Sequence, residues 1–177
     1  LPTSASDRAG TDGAGHRYGY VALVGRPNAG KSTLFNALLG QRLSIVTPRP
    51  QTTRGRILGI LTQPHSQLVF LDTPGLLEST YRLHETMVGQ IERACSDADV
   101  LVLLLDGTRL DDRPDLVSAF LERNRKPLLA VLNKVDRLDA ASLEPTLTRA
   151  RERFGLAELL PLSALTGTNV TLLLQRL

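Results

Sequence analysis

Residues 25–32 have the types and the spacing of a phosphate-binding loop. They read Gly-Arg-Pro-Asn-Ala-Gly-Lys-Ser, between an apolar run and a stretch with helical spacing. Glycines let the backbone wrap closely around a polyphosphate, so that successive N–H groups point inward at a helix N-terminus. In this pattern the lysine bridges the outer phosphates and the serine hydroxyl holds Mg²⁺. We therefore predict phosphate contacts from this phosphate loop and the next residue, through Asn28, Ala29, Gly30, Lys31, Ser32 and Thr33.

Two further clusters could complete a nucleotide site. Asp72-Thr73-Pro74-Gly75 follows an apolar run, so the Asp72 carboxylate can face the Mg²⁺ and the Gly75 N–H can turn toward a terminal phosphate. Asn133-Lys134-Val135-Asp136 follows another apolar run. The Asp136 carboxylate matches the adjacent N1–H and N2–H₂ donors of guanine, whereas adenine would leave this carboxylate buried and unpaired. The sequence therefore predicts a site for GTP or GDP.

The elements that position these clusters alternate between strands and helices. Apolar runs predict strands at 20–24, 56–61, 67–71, 100–105, 128–132 and 159–162, and helices are predicted at 33–39, 84–96, 111–125, 143–154 and 169–177. His65 falls in the turn of a hairpin formed by the second and third strands, and we expect it to be exposed. The predicted fold class is α/β: a mostly parallel six-stranded sheet with one antiparallel edge hairpin and helices on both faces. Ligands of such sheets bind beyond the carboxyl ends of the strands, where all three clusters fall.

Composition limits the remaining classes of protein. The 177 residues are 42% hydrophobic and 22% charged, which suits one globular domain. A single cysteine, Cys95, excludes an internal disulfide and favours a reducing cytoplasm. No apolar run approaches the length that spans a membrane. The net charge of +3 permits an anionic partner. We expect residues 1–17 to be a flexible tail and residues 18–177 to form the domain.

With these motifs in order, the sequence resembles the translation-factor-related GTPases and, within them, the bacterial Era family. The shared order is the phosphate loop, a loop with Thr52 and Thr53, D-T-P-G, N-K-V-D and a final S-A-L. Residues 19–28 and the Arg-Pro-Gln-Thr-Thr-Arg stretch at 49–54 carry the Era resemblance. The related Der and MnmE GTPases usually have P-G-x-T-R-D at the second stretch. The similarity covers about residues 18–177.

The resemblance implies a P-loop GTPase fold and a molecular switch that binds and hydrolyses GTP. Thr53, with Thr52 as the alternative, would contact Mg²⁺ and the terminal phosphate. Asn133 and Lys134 would brace the base and the phosphate loop, and Ala164 would offer its N–H to guanine O6. The implied Mg²⁺ ligands are Ser32, Thr53 and Asp72, and the last loop adds Ser163, Ala164 and Leu165 to the nucleotide site.

Two positions, Leu76 and Asn28, bear on the rate of hydrolysis. Leu76 stands where Ras-like enzymes place the glutamine that orients water, so we expect slow intrinsic hydrolysis. In several relatives with an asparagine at the position of Asn28, a K⁺ ion beside the phosphates supplies positive charge. We hypothesise K⁺-stimulated hydrolysis with Asn28 as a K⁺ ligand and with Lys31, Thr53 and Asn28 as the catalytic residues. A role of Asn28 in bracing the loop is the alternative.

Era-type proteins also carry a C-terminal KH domain that binds the 3′ end of small-subunit ribosomal RNA. This sequence has no GXXG clamp loop, so we expect that domain to lie outside the chain. The resemblance implies that the parent protein assembles the small ribosomal subunit (16S rRNA) through the KH domain. It implies a cytoplasmic location and allows a peripheral contact with the inner membrane face. Around the threonine loop, a solvated surface is favoured over an RNA contact for Arg42, Arg49, Arg54 and Arg56.

Three alternative functions remain open. A P-loop nucleoside kinase or ATPase should lack the N-K-x-D motif, and a comparison of GTP with ATP binding would identify it. A nucleotide-gated binding module would hydrolyse GTP negligibly, which single-turnover phosphate release would detect. A Der- or MnmE-like GTPase would act in large-subunit assembly or tRNA modification. The sequence does not predict the oligomeric state.

Overall fold

The computed structural model describes residues 10–11, 17–40, 57–71, 95–110 and 116–177. Within these residues the strands are β1 (Gly10–Thr11), β2 (Arg17–Gly25), β3 (Ile57–Gln63), β4 (Ser66–Leu71), β5 (Val100–Asp106), β6 (Leu128–Asn133) and β7 (Leu160–Pro161). The helices are α1 (Lys31–Leu39), α2 (Leu116–Arg123), α3 (Ala140–Phe154) and α4 (Val170–Arg176), with a 3₁₀ helix at Val135–Arg137. None of the helices in the described ranges combines the length and the apolar character that crossing a membrane requires.

The strands form one sheet in the order β3-β4-β2-β5-β6-β7. Strands β2, β4, β5, β6 and β7 pair in parallel, and only β3 on this path is antiparallel to its neighbour. A turn at Pro64 and His65 joins β3 to β4, and His65 is exposed there as expected. The predicted six-stranded sheet with one antiparallel edge hairpin is confirmed.

A seventh strand, β1, differs from the sequence prediction. Gly10 pairs with Tyr18 and Thr11 with Arg17, in a stretch that was expected to be a flexible tail through residue 17. Strand β2 pairs with β5 only from Val21 onward, so its first residues have backbone groups that can bond to β1. Such a contact is made by the backbone, and no apolar period in the sequence marks it.

The central strands are buried on both faces. Along β2, Val21 and Leu23 pack with α1 and α4, whereas Ala22 and Val24 face the layer that contains α2 and α3. Strand β5 alternates in the same way between the two layers. This two-sided burial is the physical origin of the continuous apolar runs, which marked the strands better than any alternating pattern could.

Two helix boundaries differ from the predictions, because side-chain hydrogen bonds at the helix ends set them. Helix α3 begins three residues before the predicted start, because the Asp139 carboxylate accepts a hydrogen bond from Ser142 N at 2.7 Å and caps the helix. Pro145 therefore lies inside the helix rather than in its first turn. Helix α2 ends at Arg123, two residues early, because the Asn124 amide bonds to Lys126 O and N at 2.9 and 3.1 Å. The predicted helix 84–96 lies outside the described residues except for its last two, Cys95 and Ser96, which are helical.

Candidate functional site

The carboxyl ends of three neighbouring strands bring two of the predicted clusters together, the phosphate loop and the N-K-V-D motif, whereas the D-T-P-G cluster lies outside the described residues. Strand β2 ends at Gly25 and leads into the phosphate loop, β5 ends at Asp106, and β6 ends at Asn133. The register pairs Gly25 with Leu104 and Asp106 with Asn133, so the three chain segments leave the sheet at one edge. Ligands of open α/β sheets bind at this edge.

The phosphate loop has a backbone that requires its glycines. A Cβ atom on Gly25 would lie 2.6 Å from Leu104 O in the neighbouring strand. Gly30 has φ +101°, and a Cβ atom there would overlap Asn133 Nδ2. Asn28 has φ +61°, a region that asparagine tolerates better than most residues. Both glycines of the motif are therefore fixed by close approach to a neighbouring element, and Gly30 by its φ as well.

Helix α1 presents polar groups at the end of this loop. Gly30 is its N-cap, and Lys31 Nζ donates hydrogen bonds to Gly25 O at 2.9 Å and to Arg26 O at 3.0 Å. The lysine ammonium is thereby held against the loop backbone. Ser32 and Thr33 are exposed in the first turn, where the helix dipole favours an anion.

Of the three predicted Mg²⁺ ligands, only Ser32 lies among the described residues. The exposed Ser32 hydroxyl is an oxygen donor of the kind that Mg²⁺ prefers, and the complete set with Thr53 and Asp72 would be all oxygen. Thr53 and Asp72 lie outside the described residues, as do Thr52 and Gly75. The donor chemistry therefore fits Mg²⁺, and the assignment of these ligands stays a prediction.

Asn133 connects the phosphate loop to the last loop of the domain. Its side chain is 2% exposed, its Nδ2 donates to Ala29 O at 2.8 Å, and its Oδ1 accepts from Ala164 N at 3.0 Å. Its backbone oxygen accepts from Gly107 N at 2.9 Å, which adds the end of β5. One buried residue thus bonds to three segments, and the predicted bracing of the phosphate loop by Asn133 has this geometric basis.

Lys134 makes a contact that was not predicted. Its Nζ lies 2.5 Å from Asp106 Oδ2, with the Lys134 side chain 22% and the Asp106 side chain 9% exposed. Its bracing of the base and the phosphate loop stays a prediction. The same carboxylate accepts from Thr108 N at 2.9 Å and Thr108 Oγ1 at 2.7 Å. Burial would raise the pKa of the Asp106 carboxyl, but the bonds from Lys134 and Thr108 and the lysine charge outweigh burial and lower the pKa below its ordinary value.

Asp136 lies exposed on the 3₁₀ helix and is oriented by a buried serine. Ser163 Oγ donates to Asp136 Oδ1 at 2.5 Å and accepts from Thr166 N at 3.1 Å. The second oxygen of this exposed carboxylate has lone pairs that can accept other donors. This arrangement fits the predicted role of Asp136, because a carboxylate fixed through one oxygen can offer the rest of its lone pairs to a base.

The loop of residues 163–168, which we call the Ser163 loop, gives Ala164 a partner that was not predicted. The Ala164 N–H donates to the buried Asn133 Oδ1, which requires a donor. The contact of this N–H with guanine O6 stays a prediction. Leu165, the next residue, has a side chain that is 72% exposed. The loop is closed by bonds from Gly167 N to Ser163 O at 2.9 Å and from Ser163 N to Thr168 O at 3.2 Å.

Asp106 is the residue of this site that the sequence reasoning missed. It bonds to Lys134 in the N-K-x-D motif, yet it belongs to no motif that was recognised. A signal was present, because Asp106 directly follows the apolar run 100–105 and so had to lie at the carboxyl end of a buried strand. Its partner Thr108 stands two residues later, at the spacing of a side chain that bonds to a turn backbone.

Comparisons with known proteins relate this chain to a family of GTPases. The sequence model of a family described as "50S ribosome-binding GTPase" matches residues 20–134. GTPase Era from Desulfovibrio desulfuricans is 44% identical over 158 residues, which are 85% of this chain and 52% of that protein. The chain thus spans about half the length of this curated relative.

Two solved structures are similar in fold and sequence. One is Era in complex with MgGDPNP and nucleotides 1506–1542 of 16S ribosomal RNA, with a TM-score of 0.73 and 37% identity over 91% of this chain and 56% of that one. The other is a variant of Aquifex aeolicus Era bound to GDP·AlF₄⁻, with a TM-score of 0.71 and 37% identity over 90% of this chain and 55% of that one. Both proteins hold a guanine nucleotide or its analogue.

Proposed function

Because the chain belongs to the 50S ribosome-binding GTPase family, we propose that it binds GTP and GDP and hydrolyses GTP to GDP and phosphate. One observation carries the proposal: the buried Asn133 amide bonds both to the phosphate loop, at Ala29 O, and to the Ser163 loop, at Ala164 N. The Asn133 amide thereby connects the proposed phosphate-binding loop to the loop that we propose holds the base. The resemblance to Era proteins, two of which hold guanine nucleotides or analogues, supports the same ligand.

Guanine selectivity rests on Asp136 in this proposal. Its exposed carboxylate, held by Ser163 Oγ at 2.5 Å, accepts from guanine N1–H and N2–H₂. Adenine has an acceptor at N1 and no amino group at position 2, so it would leave the carboxylate unpaired. Selection against a base that leaves a polar group unpaired reaches about 10⁴-fold or more in other enzymes.

The test replaces a hydrogen-bond acceptor at position 136 with a donor. Asp136→Asn replaces one acceptor with an N–H₂ donor, which matches the C2 carbonyl of xanthine and repels the guanine amino group. We expect GDP affinity to fall about a hundredfold or more and xanthosine diphosphate to bind the variant in its place. Titrations of both proteins with GDP, XDP and ADP measure this. If wild-type protein bound ADP as tightly as GDP, a nucleoside kinase or ATPase would replace the proposal.

In hydrolysis, residues of this chain would position the phosphates and stabilise the negative charge that develops on them. Lys31, held by Gly25 O and Arg26 O, and the N-terminus of α1 face developing negative charge on the phosphates. Bound Mg²⁺ supplies further charge neutralisation, with Ser32, Thr53 and Asp72 as its proposed ligands. Leu76 offers no hydrogen bond to the attacking water, so we propose a slow intrinsic rate. Single-turnover phosphate release measures that rate. If GTP were hydrolysed no faster than in buffer, the protein would be a nucleotide-gated binding module and not an enzyme.

We also propose that K⁺ stimulates hydrolysis through the Asn28 side chain. Asn28 is exposed and has φ +61°, so asparagine could be present for its backbone tolerance alone. Asn28→Gly keeps that backbone freedom and removes the amide oxygen, which separates the two roles. We expect the glycine variant to bind GDP normally and to lose the difference in rate between KCl and NaCl. Equal rates in KCl and NaCl for the wild-type protein would refute the proposal.

For the whole protein, we propose a role in assembly of the small ribosomal subunit, in the cytoplasm. Support comes from the similarity to Era, which has been solved with nucleotides 1506–1542 of 16S ribosomal RNA. The buried free thiol Cys95 agrees with a reducing compartment. The parent protein, extended beyond this chain, should bind that RNA segment in a gel-shift assay, and residues 1–177 alone should not. Binding of a large-subunit RNA or a tRNA instead would favour a Der- or MnmE-like function.

A further inference from the structure

The pair of Asp106 and Lys134 forms a connection between β5 and the N-K-x-D motif that the proposed function does not use. Lys134 Nζ lies 2.5 Å from Asp106 Oδ2, and the carboxylate is only 9% exposed. An ion pair in this environment is shielded from water more than a surface pair, whose contribution is close to zero. The carboxylate is fixed in turn by Thr108 N and Thr108 Oγ1.

This ion pair is not needed to hold the strands together. Asp106 and Asn133 are already partners in the β5–β6 register, and Gly107 N donates to Asn133 O at 2.9 Å. The backbone therefore joins the two strand ends by itself. The carboxylate adds an anchor for one long side chain, because a lysine that is not anchored keeps most of its rotamer freedom.

We propose that Asp106 is a positioning residue for nucleotide binding, which fixes the Lys134 side chain beside the base site before the nucleotide arrives. The inference rests on the proposed function, because it concerns the same guanine nucleotide. Lys134 has φ +67° and stands between Asn133 and the 3₁₀ helix of Asp136, so its side chain starts from a fixed backbone. Fixing a flexible side chain in the free protein removes an entropy loss from the binding step. Loss of Asp106 should therefore weaken the nucleotide complex through Lys134.

Asp106→Asn tests the proposal, because asparagine keeps the size and an acceptor for Thr108 N and removes the charge. We expect GDP to dissociate about tenfold faster, because the complex then has to order a Lys134 side chain that the free protein no longer holds in place. Asp99→Asn is the matched control at the opposite end of β5, where the Asp99 carboxylate accepts from Tyr20 N at 2.8 Å. That control should leave the dissociation rate within about twofold of wild type, because the length of β5 separates it from the site, and changes more than about 10 Å apart are usually energetically independent.

A double-mutant cycle with Lys134→Met separates positioning from general support of the fold. If Asp106 acts through Lys134, the Asp106→Asn change should have no further effect on GDP dissociation in the Lys134→Met protein. Additive effects, or an unchanged rate in Asp106→Asn alone, would overturn the inference and leave GDP binding intact. Failure of wild-type protein to bind GDP would overturn the proposed function, and the inference with it. The melting temperature of each nucleotide-free variant identifies a protein that is misfolded, in which case Asp106→Glu, which keeps the charge, should retain slow dissociation.

Discussion

The two ends of the sheet contain the same three residue types, and they use them differently. At the amino end, Asn124 bonds to the backbone of Lys126, the Lys126 ammonium donates to Ser96 O and Ala98 O, and Asp99 accepts from Tyr20 N. At the carboxyl end, Asn133 joins two loops and Lys134 pairs with Asp106. The amino-end side chains bond to backbone groups that lie near chain turns.

This difference shows what distinguishes a site from a well-satisfied surface. An asparagine, a lysine and an aspartate near strand ends are found at both edges. The carboxyl end differs in backbone strain and in connection: Asn28 and Lys134 have positive φ, and one Asn133 side chain bonds to two separate loops, at Ala29 O and Ala164 N. Strain of this kind is retained where the surrounding structure fixes it, which is typical of binding sites.

The largest expected contrast is between two glycines with positive φ, one at each end. In Gly30→Ala the new methyl group would overlap Asn133 Nδ2, and we expect GDP affinity to fall by about a hundredfold or more. Gly155, after α3, has φ +61° and no atom within 4 Å of an added Cβ. Gly155→Ala should lose about 1 kcal/mol of stability and keep its GDP affinity. Isothermal titration and urea unfolding measure both, and equal losses of affinity would remove the contrast.

The next contrast compares the two asparagines. Asn133→Ala would leave Ala29 O and Ala164 N without partners in a buried place, at a cost of about 3 kcal/mol in the free energy of unfolding. Asn124→Ala removes bonds to a neighbour two positions away, near solvent, and should cost under about 1 kcal/mol. Urea unfolding of the nucleotide-free proteins gives both values. Similar costs would mean that the buried amide is not a structural centre of the site.

A smaller effect should appear in the pH dependence of stability. The pKa of Asp106 is lowered in the folded chain, so its contribution to stability is present above the ordinary aspartate pKa of about 3.8. The contribution is lost as pH falls through the lowered folded pKa. The difference in unfolding free energy between wild type and Asp106→Asn should be about 1–2 kcal/mol at pH 7 and should decrease below pH 4. An unchanged difference between pH 7 and pH 3 would contradict this assignment.

The smallest effect should come from an acid near the carboxyl end that takes no part in the site. Asp139 caps α3 through Ser142 N, and its carboxyl pKa is lowered by the Ser142 hydrogen bonds. Asparagine caps helices about as well as aspartate, so Asp139→Asn should leave both the midpoint of thermal unfolding and the GDP affinity at their wild-type values. Thermal unfolding and a GDP titration check this. A clear loss of GDP affinity would show that negative charge at this edge contributes more to GDP binding than the specific pairing of Asp106 with Lys134.

The sequence predicted the sheet well because strands that are buried on both faces appear in the sequence as continuous apolar runs. The apolar run 100–105 became β5, and the runs around Val131 and Val69 became β6 and β4. Strand β1 and the start of α3 were missed, since a backbone pairing and a single Asp139 cap leave little trace in a hydrophobicity pattern.

For the site, motif spacing located the residues but not their bonding partners. Asn133, Asp136 and Ser163 come together at one edge, as their strand-end positions implied. The partner of Lys134 and the donor role of Ala164 depend on which buried polar atom needs a hydrogen bond, and that is decided in three dimensions. Thr53, Asp72 and Gly75 lie outside the described residues, so their roles stay predictions.

The position of the Asn133 amide between the two loops has a thermodynamic consequence. A ligand group that orders the phosphate loop also restricts, through Ala29 O and Ala164 N, the freedom of the Ser163 loop. We therefore expect the diphosphate and the nucleoside to bind cooperatively, so that their separate affinities underestimate that of GDP. Linkage makes such an effect reciprocal, and each half of the ligand would raise the affinity for the other by the same factor.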